Sequence, residues 1–277
     1  MAVDFTAAAG STWRRAMFGG TTMTRLELYN APQSTCSQRV RFVLHAKGLA
    51  FEDHRLDLFT GDQLRPDYLK LNPNGVVPTL VHDGAPVIDS SVILEYLEEV
   101  FPDGRTFVPA DPLGRARMRA LIRFIDEVPT PAVRVPSYNL AFLPHFQSMS
   151  EEGFVKLADS KPLRREFLLK MGRTGFPESE MNQALDRLRR AVARMNDDIR
   201  HSGGPWLLGE RISLADIAIM PVIVRMNDIR LHDMWSDKPA VARWFEAIQA
   251  DAAFRPTYYP GSLLTEKYPR LRAQLAR

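Results

Sequence analysis

Apolar and polar residues alternate over short stretches in the first hundred residues, and a period of two is typical of strands. The alternation is clearest at Leu26 and Leu28, which lie between charged neighbours. Val40 and Val43 follow at helical spacing and predict a helix that ends near Gly48. Strands are predicted at four places, namely Leu26 and Leu28, Leu56 and Leu58, the region of Pro78, and Val87-Ile88.

The second half of the chain carries the helical period instead. An apolar stripe with spacings of three and four predicts an amphipathic helix from Met181 to Ile199. Ser213, with Asp216 three residues later, predicts a capping box at the start of a helix that runs to about Asp228. A further helix is predicted from the spacing of Val241, Trp244, Phe245 and Ile248.

The order of these elements predicts two domains, α/β followed by all-α. The order βαβ and then ββα is that of an N-terminal thioredoxin-like domain, which we place at residues 23–104. A turn-rich linker at residues 101–104 precedes an all-helical C-terminal domain at residues 105–277, which ends in a C-terminal tail. Residues 1–22 show no sustained period, and we expect them to form a mobile N-terminal tail.

Composition limits the functions that the chain can have. Hydrophobic residues make up 45% and charged residues 25% of its 277 residues, as in ordinary globular proteins. The net charge of +3 comes from arginines interleaved with acids, which does not favour nucleic-acid binding. No apolar run approaches the roughly 20 residues that cross a bilayer, so no membrane partner is expected. The single cysteine excludes an internal disulfide and favours a reducing, cytoplasmic location.

Common metal-binding and hydrolytic patterns are absent from the sequence. The six histidines are scattered without a pair at metal-ligand spacing, so no metal site is predicted. The sequence has no Gly-x-Ser-x-Gly elbow of a serine hydrolase. It also has no phosphate-binding loop of the P-loop or Rossmann type. The candidate chemistry therefore lies in a motif of another kind.

That motif is a proline inside an apolar strand, in the stretch Asn72-Pro73-Asn74-Gly75-Val76-Val77-Pro78-Thr79-Leu80. Pro78 lowers the cost of a cis bond, so we predict a cis Val77–Pro78 peptide that turns the Val77 backbone toward a bound peptide. Asp89 and Ser90 then open a helix, where a carboxylate and free N–H groups can hold a charged amino-acid end. Together the two elements predict a binding site for a peptide thiol.

This pair of elements resembles the glutathione-binding signature of cytosolic glutathione transferases. The first domain is most similar to the zeta class (maleylacetoacetate isomerase) and to tetrachlorohydroquinone dehalogenase. The resemblance implies that Val77, Pro78, Asp89 and Ser90 bind glutathione as a cosubstrate, that the partner is an electrophilic small molecule, and that the protein is a homodimer. It covers about residues 24–255 through the motifs Leu28-Tyr29, Ser34 to Arg41, Val77-Pro78, Asp89 to Leu97, Pro205 to Gly209, and Ser213 to Ala218.

The resemblance also implies that a hydroxyl near the start of the first helix holds the glutathione thiolate. Ser34 matches the serine of the zeta class, whereas Ser37 matches the hydroxyl position of etherase-like proteins, and both are candidates. Cys36 matches the cysteine with which tetrachlorohydroquinone dehalogenase resolves a glutathione conjugate, although zeta-class isomerases carry it without a covalent need. Tyr29 matches a strand tyrosine that most serine-type members do not use, so we expect it to be structural.

An insertion near residues 129–178 departs from the zeta pattern. Its repeated prolines predict that no single continuous helix crosses it. Flanking motifs at residues 109–119 and 172–177 resemble bacterial β-aryl etherases, which cleave lignin dimers with glutathione. The insertion is rich in aromatic residues that either line a deeper acceptor pocket or pack the insertion onto the helices, namely Phe142, Phe146, Phe154 and Phe167.

These observations predict an enzyme that activates glutathione for attack on an electrophilic, aromatic acceptor, by conjugation or by β-aryl ether cleavage. Two other functions stay open at this point. One is a non-catalytic binding or regulatory protein of the same fold, and the complete set of motif residues argues against it. The other is a glutathione-dependent reductive dehalogenase or isomerase, which would give Cys36 a covalent role.

Overall fold

A computed structural model of the chain describes residues 24–276, so the tail predicted at residues 1–22 lies outside the described residues. Four strands form one mixed sheet in the order β2-β1-β3-β4. The β1–β2 pair is parallel, and the β1–β3 and β3–β4 pairs are antiparallel. The strands are β1 (Leu26–Asn30), β2 (Glu52–Arg55), β3 (Thr79–His82) and β4 (Ala85–Ile88).

The prediction of the second strand is wrong in its position. Leu56 and Leu58 are expected in that strand, but β2 ends at Arg55. Leu56 only extends the parallel ladder by donating its N–H to the Asn30 carbonyl at 2.8 Å, and Leu58 lies in the following loop. The reason is that β2 is an edge strand of polar, partly exposed residues, so it shows no apolar alternation.

Three helices accompany the sheet in the first domain. They are α1 (Thr35–Ala46), α2 (Pro66–Leu71) and α3 (Ser90–Val100), with a 3-10 turn at Asp62–Leu64. α1 and α3 pack against each other and share a core with the sheet that includes Leu28 and Leu80. The thioredoxin-like arrangement that the element order predicts is confirmed.

The second domain is all-helical in the described residues. None of the described helices is long and apolar enough to cross a membrane. Three predicted helices are confirmed, namely those of the Met181 stripe, the Ser213 capping box and the Val241 pattern. The helices are α4 (Pro112–Glu127), α5 (Pro129–Ser137), α6 (Leu143–Gln147), α7 (Glu151–Asp159), α8 (Arg165–Met171), α9 (Glu178–Ser202), α10 (Leu214–Asp228), α11 (Pro239–Gln249), α12 (Phe254–Thr257), α13 (Leu264–Lys267) and α14 (Pro269–Leu275).

The segment at residues 129–178 is broken into helices α5 to α8, as its prolines predict. Pro129 and Pro131 lie in the first turn of α5, where a missing N–H leaves no helix hydrogen bond unmade. Pro136 lies inside α5, and a π-helical turn at Tyr138–Phe142 follows it directly. Turns of this kind often occur at functional sites because they widen the helix and redirect its side chains.

The capping box at the start of α10 is confirmed and lies in the core. The fully buried carboxylate of Asp216 accepts hydrogen bonds from Leu207 N–H at 2.9 Å and Trp244 Nε1–H at 2.8 Å. It also accepts from the N–H and the hydroxyl of Ser213, at 2.9 and 2.7 Å. Burial raises the pKa of Asp216, and these donors oppose the increase. The box therefore joins α10, α11 and the loop after α9, which is a role in folding.

Two buried arginines of α1 connect the first domain to the second. Arg39 Nη1 lies 2.5 Å from Asp126 Oδ1 of α4 and 3.1 Å from Ser91 Oγ of α3. Arg41 donates to the carbonyl of Thr257 in α12 at 3.2 Å, and burial lowers the pKa of this arginine. Because both are on α1, its N-terminus is held in a defined position between the domains.

Candidate active site

A cavity of about 340 Å³ lies between the two domains. Its first wall consists of residues 31–36 at the start of α1, residues 55–59 after β2, and residues 74–77 before β3. The opposite wall comes mainly from the segment 134–164 of the helical domain. Two of the predicted motifs, the start of α1 and the segment before Pro78, therefore meet at one cavity.

Ser34 lines this cavity and is the N-cap of α1. Its Oγ accepts a hydrogen bond from the N–H of Ser37 at 3.2 Å, which satisfies one of the free donors at the helix start. A serine hydroxyl that accepts such a bond still has its own proton to donate. The Ser34 hydroxyl can therefore donate that proton to a sulfur in the cavity.

The two other candidates near the start of α1 lie in different surroundings. Ser37 is fully buried and does not line the cavity, and its Oγ accepts a hydrogen bond from Ala31 N–H at 3.3 Å. Cys36 is half-buried, lines the cavity and belongs to the first turn of α1. The geometry thus favours Ser34 over Ser37 as the thiolate partner, and both assignments stay predictions.

The segment before β3 presents free backbone groups to the cavity. The Val77–Pro78 peptide is cis, as predicted, and Val77 lines the cavity. Among the described residues, the N–H and C=O of Val77 have no hydrogen-bond partner. The carbonyl of Val76, in contrast, accepts from the Tyr68 hydroxyl at 2.5 Å and the Asn72 amide at 2.9 Å. Burial raises the pKa of Tyr68 to about 12, so this hydroxyl stays protonated and donates at neutral pH.

Gln63 is a site residue that the sequence analysis missed. Its side chain is 3% exposed and lines the cavity, and its Oε1 has no hydrogen-bond partner within the described residues. A buried amide oxygen is costly unless a donor reaches it, so a ligand N–H is the natural partner. Gly75 has φ +59°, and a Cβ there would lie 3.0 Å from Leu64 Cδ2, so glycine lets this segment approach closely. A short 3-10 turn carries no sequence period, and nothing in the sequence indicated Gln63.

Asp89 and Ser90 lie at the N-terminus of α3, outside the residues that line the cavity. Oδ1 of Asp89 accepts from the N–H groups of Ser91 and Val92, at 2.9 and 3.1 Å, and caps the helix. No described residue donates to Oδ2 of this exposed carboxylate. Ser90 is buried beside Arg39, whose Nη1 lies 3.4 Å from its Oγ. The Asp89 carboxylate thus caps α3 through one of its two oxygens, and its part in ligand binding stays a prediction.

The aromatic residues of the 129–178 segment divide between the cavity and a core. Phe142 and Phe146 line the cavity together with Tyr138. Phe154 is fully buried and packs on Phe146 with a centroid distance of 5.9 Å. Phe167 packs edge-to-face on Tyr138 at 4.8 Å. One pair of these aromatics therefore lines the cavity and the other packs the segment, and the role of the first pair in binding an acceptor stays a prediction.

The cavity is strongly cationic. Its lining in the described residues contains six arginines and lysines but a single carboxylate, that of Asp57. Burial lowers the pKa of Lys161 and of Arg164, and the nearby Arg134 lowers that of Arg164 further. Like charges at close range repel, so the arrangement favours a negatively charged ligand. These cations were not singled out by the sequence analysis.

The C-terminal segment contributes to the wall of the cavity. Lys267 of α13 belongs to the lining. Tyr268 packs edge-to-face on Phe59 at 6.2 Å and on Phe142 at 5.8 Å, so it joins the loop after β2 to the π-helical turn. This contact brings together three regions that lie far apart in the sequence, and no local pattern predicts it.

Tyr29 has a structural environment, in agreement with its assignment. Its ring stacks on His54 at 4.3 Å, and burial, with Glu27 and Glu52 nearby, raises the pKa of its hydroxyl. The side chains of Glu27, Glu52 and His54 bring potential metal-ligand atoms within 4.8 Å of one another. Arg25 Nη2 lies 3.4 Å from Glu27 and 3.0 Å from Glu52, so one arginine pairs with both carboxylates.

Family models match both domains of the chain. Residues 33–100 match the N-terminal domain of glutathione S-transferases, and residues 178–247 match the C-terminal domain. Two of the predicted motifs, the start of α1 and the Val77–Asp89 region, lie inside the first match.

The similarity to known proteins covers most of the chain. Protein LigF of Sphingobium sp. strain SYK-6 is 31% identical over 240 residues, which cover 84% of this chain and 93% of that protein. The zeta-class glutathione S-transferase of Euphorbia esula is 29% identical and covers 78% of this chain and 87% of its own length. The crystal structure of the β-etherase LigF superposes with a TM-score of 0.74 at 30% identity, over 84% of this chain and 98% of that one.

Proposed function

The chain belongs to the glutathione S-transferase family, and we propose that it activates glutathione for attack on an electrophilic aromatic acceptor, by conjugation or by β-aryl ether cleavage. Its family membership makes it a glutathione-dependent enzyme. One observation carries the proposal. A hydroxyl donor, Ser34, and the free backbone of Val77 lie on one wall of a cavity whose opposite wall carries Tyr138, Phe142 and Phe146.

The residues of the first wall fit glutathione. The free N–H and C=O of Val77 match the groups of a peptide that binds as an added strand. The amide oxygen of Gln63 has no hydrogen-bond partner among the described residues, so it can accept a hydrogen bond from an N–H of the same peptide. The Oδ2 of Asp89 accepts no hydrogen bond from residues 24–276 and can accept from the ammonium of the γ-glutamyl end, with Ser90 beside it.

Each group has a defined part in the proposed reaction. The Ser34 hydroxyl donates to the sulfur and stabilises the thiolate, which is the nucleophile. In ether cleavage the thiolate forms a carbon–sulfur bond at the β-carbon, the carbon–oxygen bond breaks, and the aryloxide leaves and takes up a proton. In conjugation the leaving group is another electron-withdrawing substituent. The aromatic wall positions the acceptor ring next to the sulfur.

A screen of aryl ethers and haloaromatics with product analysis tests the proposal. We expect turnover with glutathione and a thioether product. Stoichiometric glutathione binding without turnover of any acceptor would instead favour a non-catalytic binding protein. A cis–trans isomerised product would assign the enzyme to isomerisation, as in the maleylacetoacetate isomerases to which it is similar.

Replacing Asp89 by asparagine should raise the KM for glutathione by roughly tenfold to a hundredfold. The amide oxygen of asparagine can still cap α3 by accepting from the N–H groups of Ser91 and Val92. The amide is uncharged, however, so it no longer attracts an ammonium group. Initial rates at varied glutathione give the KM, and thermal unfolding shows whether the cap persists. Asp89→Ala should raise the KM similarly and also lower the Tm. An unchanged KM in both variants would make Asp89 a helix cap alone.

Replacing Cys36 by serine should leave most of the turnover intact, because displacement by a thiolate needs no second thiol. Reductive dehalogenation, in contrast, requires Cys36 to attack the glutathione conjugate and release the reduced product as a mixed disulfide forms. Mass spectrometry of the reaction mixture distinguishes the two cases. A wild-type enzyme that releases a reduced, sulfur-free product, together with a Cys36→Ser variant in which the glutathionyl conjugate of that product accumulates quantitatively, would contradict our proposal and assign the enzyme to dehalogenation.

The assembly, location and domain limits are parts of the same proposal. We propose a homodimer, because members of this family associate in that way, and size-exclusion chromatography with light scattering measures it. The single cysteine supports a cytoplasmic enzyme. We keep residues 23–104 as the glutathione-binding domain and residues 105–277 as the helical domain.

A further inference from the structure

We infer that Arg134, Lys161 and Arg164 form a subsite for an anionic group of the acceptor, so that the acceptor is an aromatic acid and its carboxylate binds in this subsite. The inference rests on the proposed function and specifies its substrate class. All three residues line the cavity from the helical side. We call them the cation subsite.

The cation subsite has no carboxylate of its own. Within the described residues, none of its three side chains forms a salt bridge, although twenty such contacts occur elsewhere. The side chain of Arg164 donates through Nη1 to the carbonyl of Leu163 at 3.0 Å. In the part of the chain that the structure describes, the side chains of Lys161 and Arg134 donate no hydrogen bond. Half-buried cations that repel one another are costly, so a ligand that supplies negative charge stabilises the site.

The position of the subsite assigns the anion to the acceptor rather than to glutathione. The groups that fit the peptide, at Val77 and Gln63, lie on the first wall, whereas the cations lie on the opposite wall. Tyr138 and Phe142 of the π-helical turn lie on the same wall, with their rings 4.8 Å apart. Burial raises the pKa of the Tyr138 hydroxyl, and the charges of Arg164 and Arg134 lower it, so both guanidinium groups lie on the same side of the cavity as this ring. An aromatic ring with a carboxylate matches this pairing of apolar and cationic groups.

A matched pair of acceptors tests the inference. We would compare an aryl ether that carries a ring carboxylate with its methyl ester, at saturating glutathione. The wild-type enzyme should favour the acid in kcat/KM by about tenfold or more. In Lys161→Met/Arg164→Met the preference should fall to about one, while the KM for glutathione stays within about twofold. Arg165→Met is the control, because Arg165 is exposed and already paired with Asp159 and Glu166, and it should keep the preference.

Three outcomes would overturn the inference. A wild-type enzyme without preference for the acid has no anion subsite for its acceptor. If the double variant lost kcat/KM equally with both acceptors, the cations would stabilise the glutathione thiolate and would not bind the acceptor's carboxylate. A raised KM for glutathione would show that they bind a carboxylate of glutathione itself.

A binding measurement separates this inference from the proposed function. Calorimetric titration of phenoxyacetate into the glutathione complex needs no turnover. Binding that weakens at least about tenfold in the double variant, and not in Arg165→Met, would support the subsite even if neither acceptor reacts. Phenoxyacetate that binds wild type and double variant equally would refute it. Thermal unfolding of each variant confirms that the fold is intact.

Discussion

Replacing Ser34 by alanine should lower kcat about a hundredfold near neutral pH, because it removes the hydroxyl that donates to the glutathione thiolate. The pKa of the bound glutathione thiol should rise in the same variant, since the thiolate loses its stabilising donor. Ultraviolet absorbance of the thiolate, followed as a function of pH, measures this pKa directly. The structure supports Ser34 for this role, because it lines the cavity with a free hydroxyl proton.

Two controls separate catalysis from helix capping. Ser34→Thr keeps both the cap and the donor and should retain most of the activity. Ser37→Ala should change kcat little, because Ser37 is fully buried and outside the cavity. If the etherase-like alignment is the correct guide, the two alanine variants exchange their effects, and Ser37→Ala raises the pKa of the bound thiol.

Replacing Asp216 by alanine should destabilise the fold by about 3–5 kcal/mol, because four donors lose one buried acceptor. These donors are the N–H of Leu207, the N–H and hydroxyl of Ser213, and the indole N–H of Trp244. The Tm should fall by roughly 10 °C for a chain of this size. Denaturant unfolding and calorimetry measure the two quantities. The KM for glutathione of the remaining folded enzyme should be unchanged, since Asp216 lies outside the cavity lining.

An exposed helix cap provides the matched control. Asp111 caps α4 by accepting from Gly114 N–H at 2.7 Å, and this contact is exposed. Asp111→Ala should cost only about 1 kcal/mol, because water can satisfy the donor that it leaves. An equal decrease in the free energy of unfolding in Asp216→Ala and Asp111→Ala would contradict a special role for the buried capping box.

The elements that the sequence predicted well depend on contacts within a few residues. Ser213 and Asp216 form their box inside one helical turn, so their spacing alone predicts it. The Met181 to Ile199 stripe is a property of one helix, and it was confirmed as α9. The second strand was misplaced because β2 is an edge strand, whose position is decided by pairing with β1 and not by its own apolar period.

The residues of the candidate site were likewise predicted from the sequence only in part. The sequence by itself determined the family, the fold class, and the motifs at Ser34, Val77 and Asp89, because each motif is a short contiguous stretch. Only the tertiary structure decided that Ser34 faces the cavity while Ser37 is buried, since one turn of α1 separates surface from core. It alone placed Gln63 in the first wall and gathered the cations of the cation subsite opposite it. Those positions depend on how the helical domain packs against the sheet domain, and packing between distant segments leaves no period or spacing in the sequence.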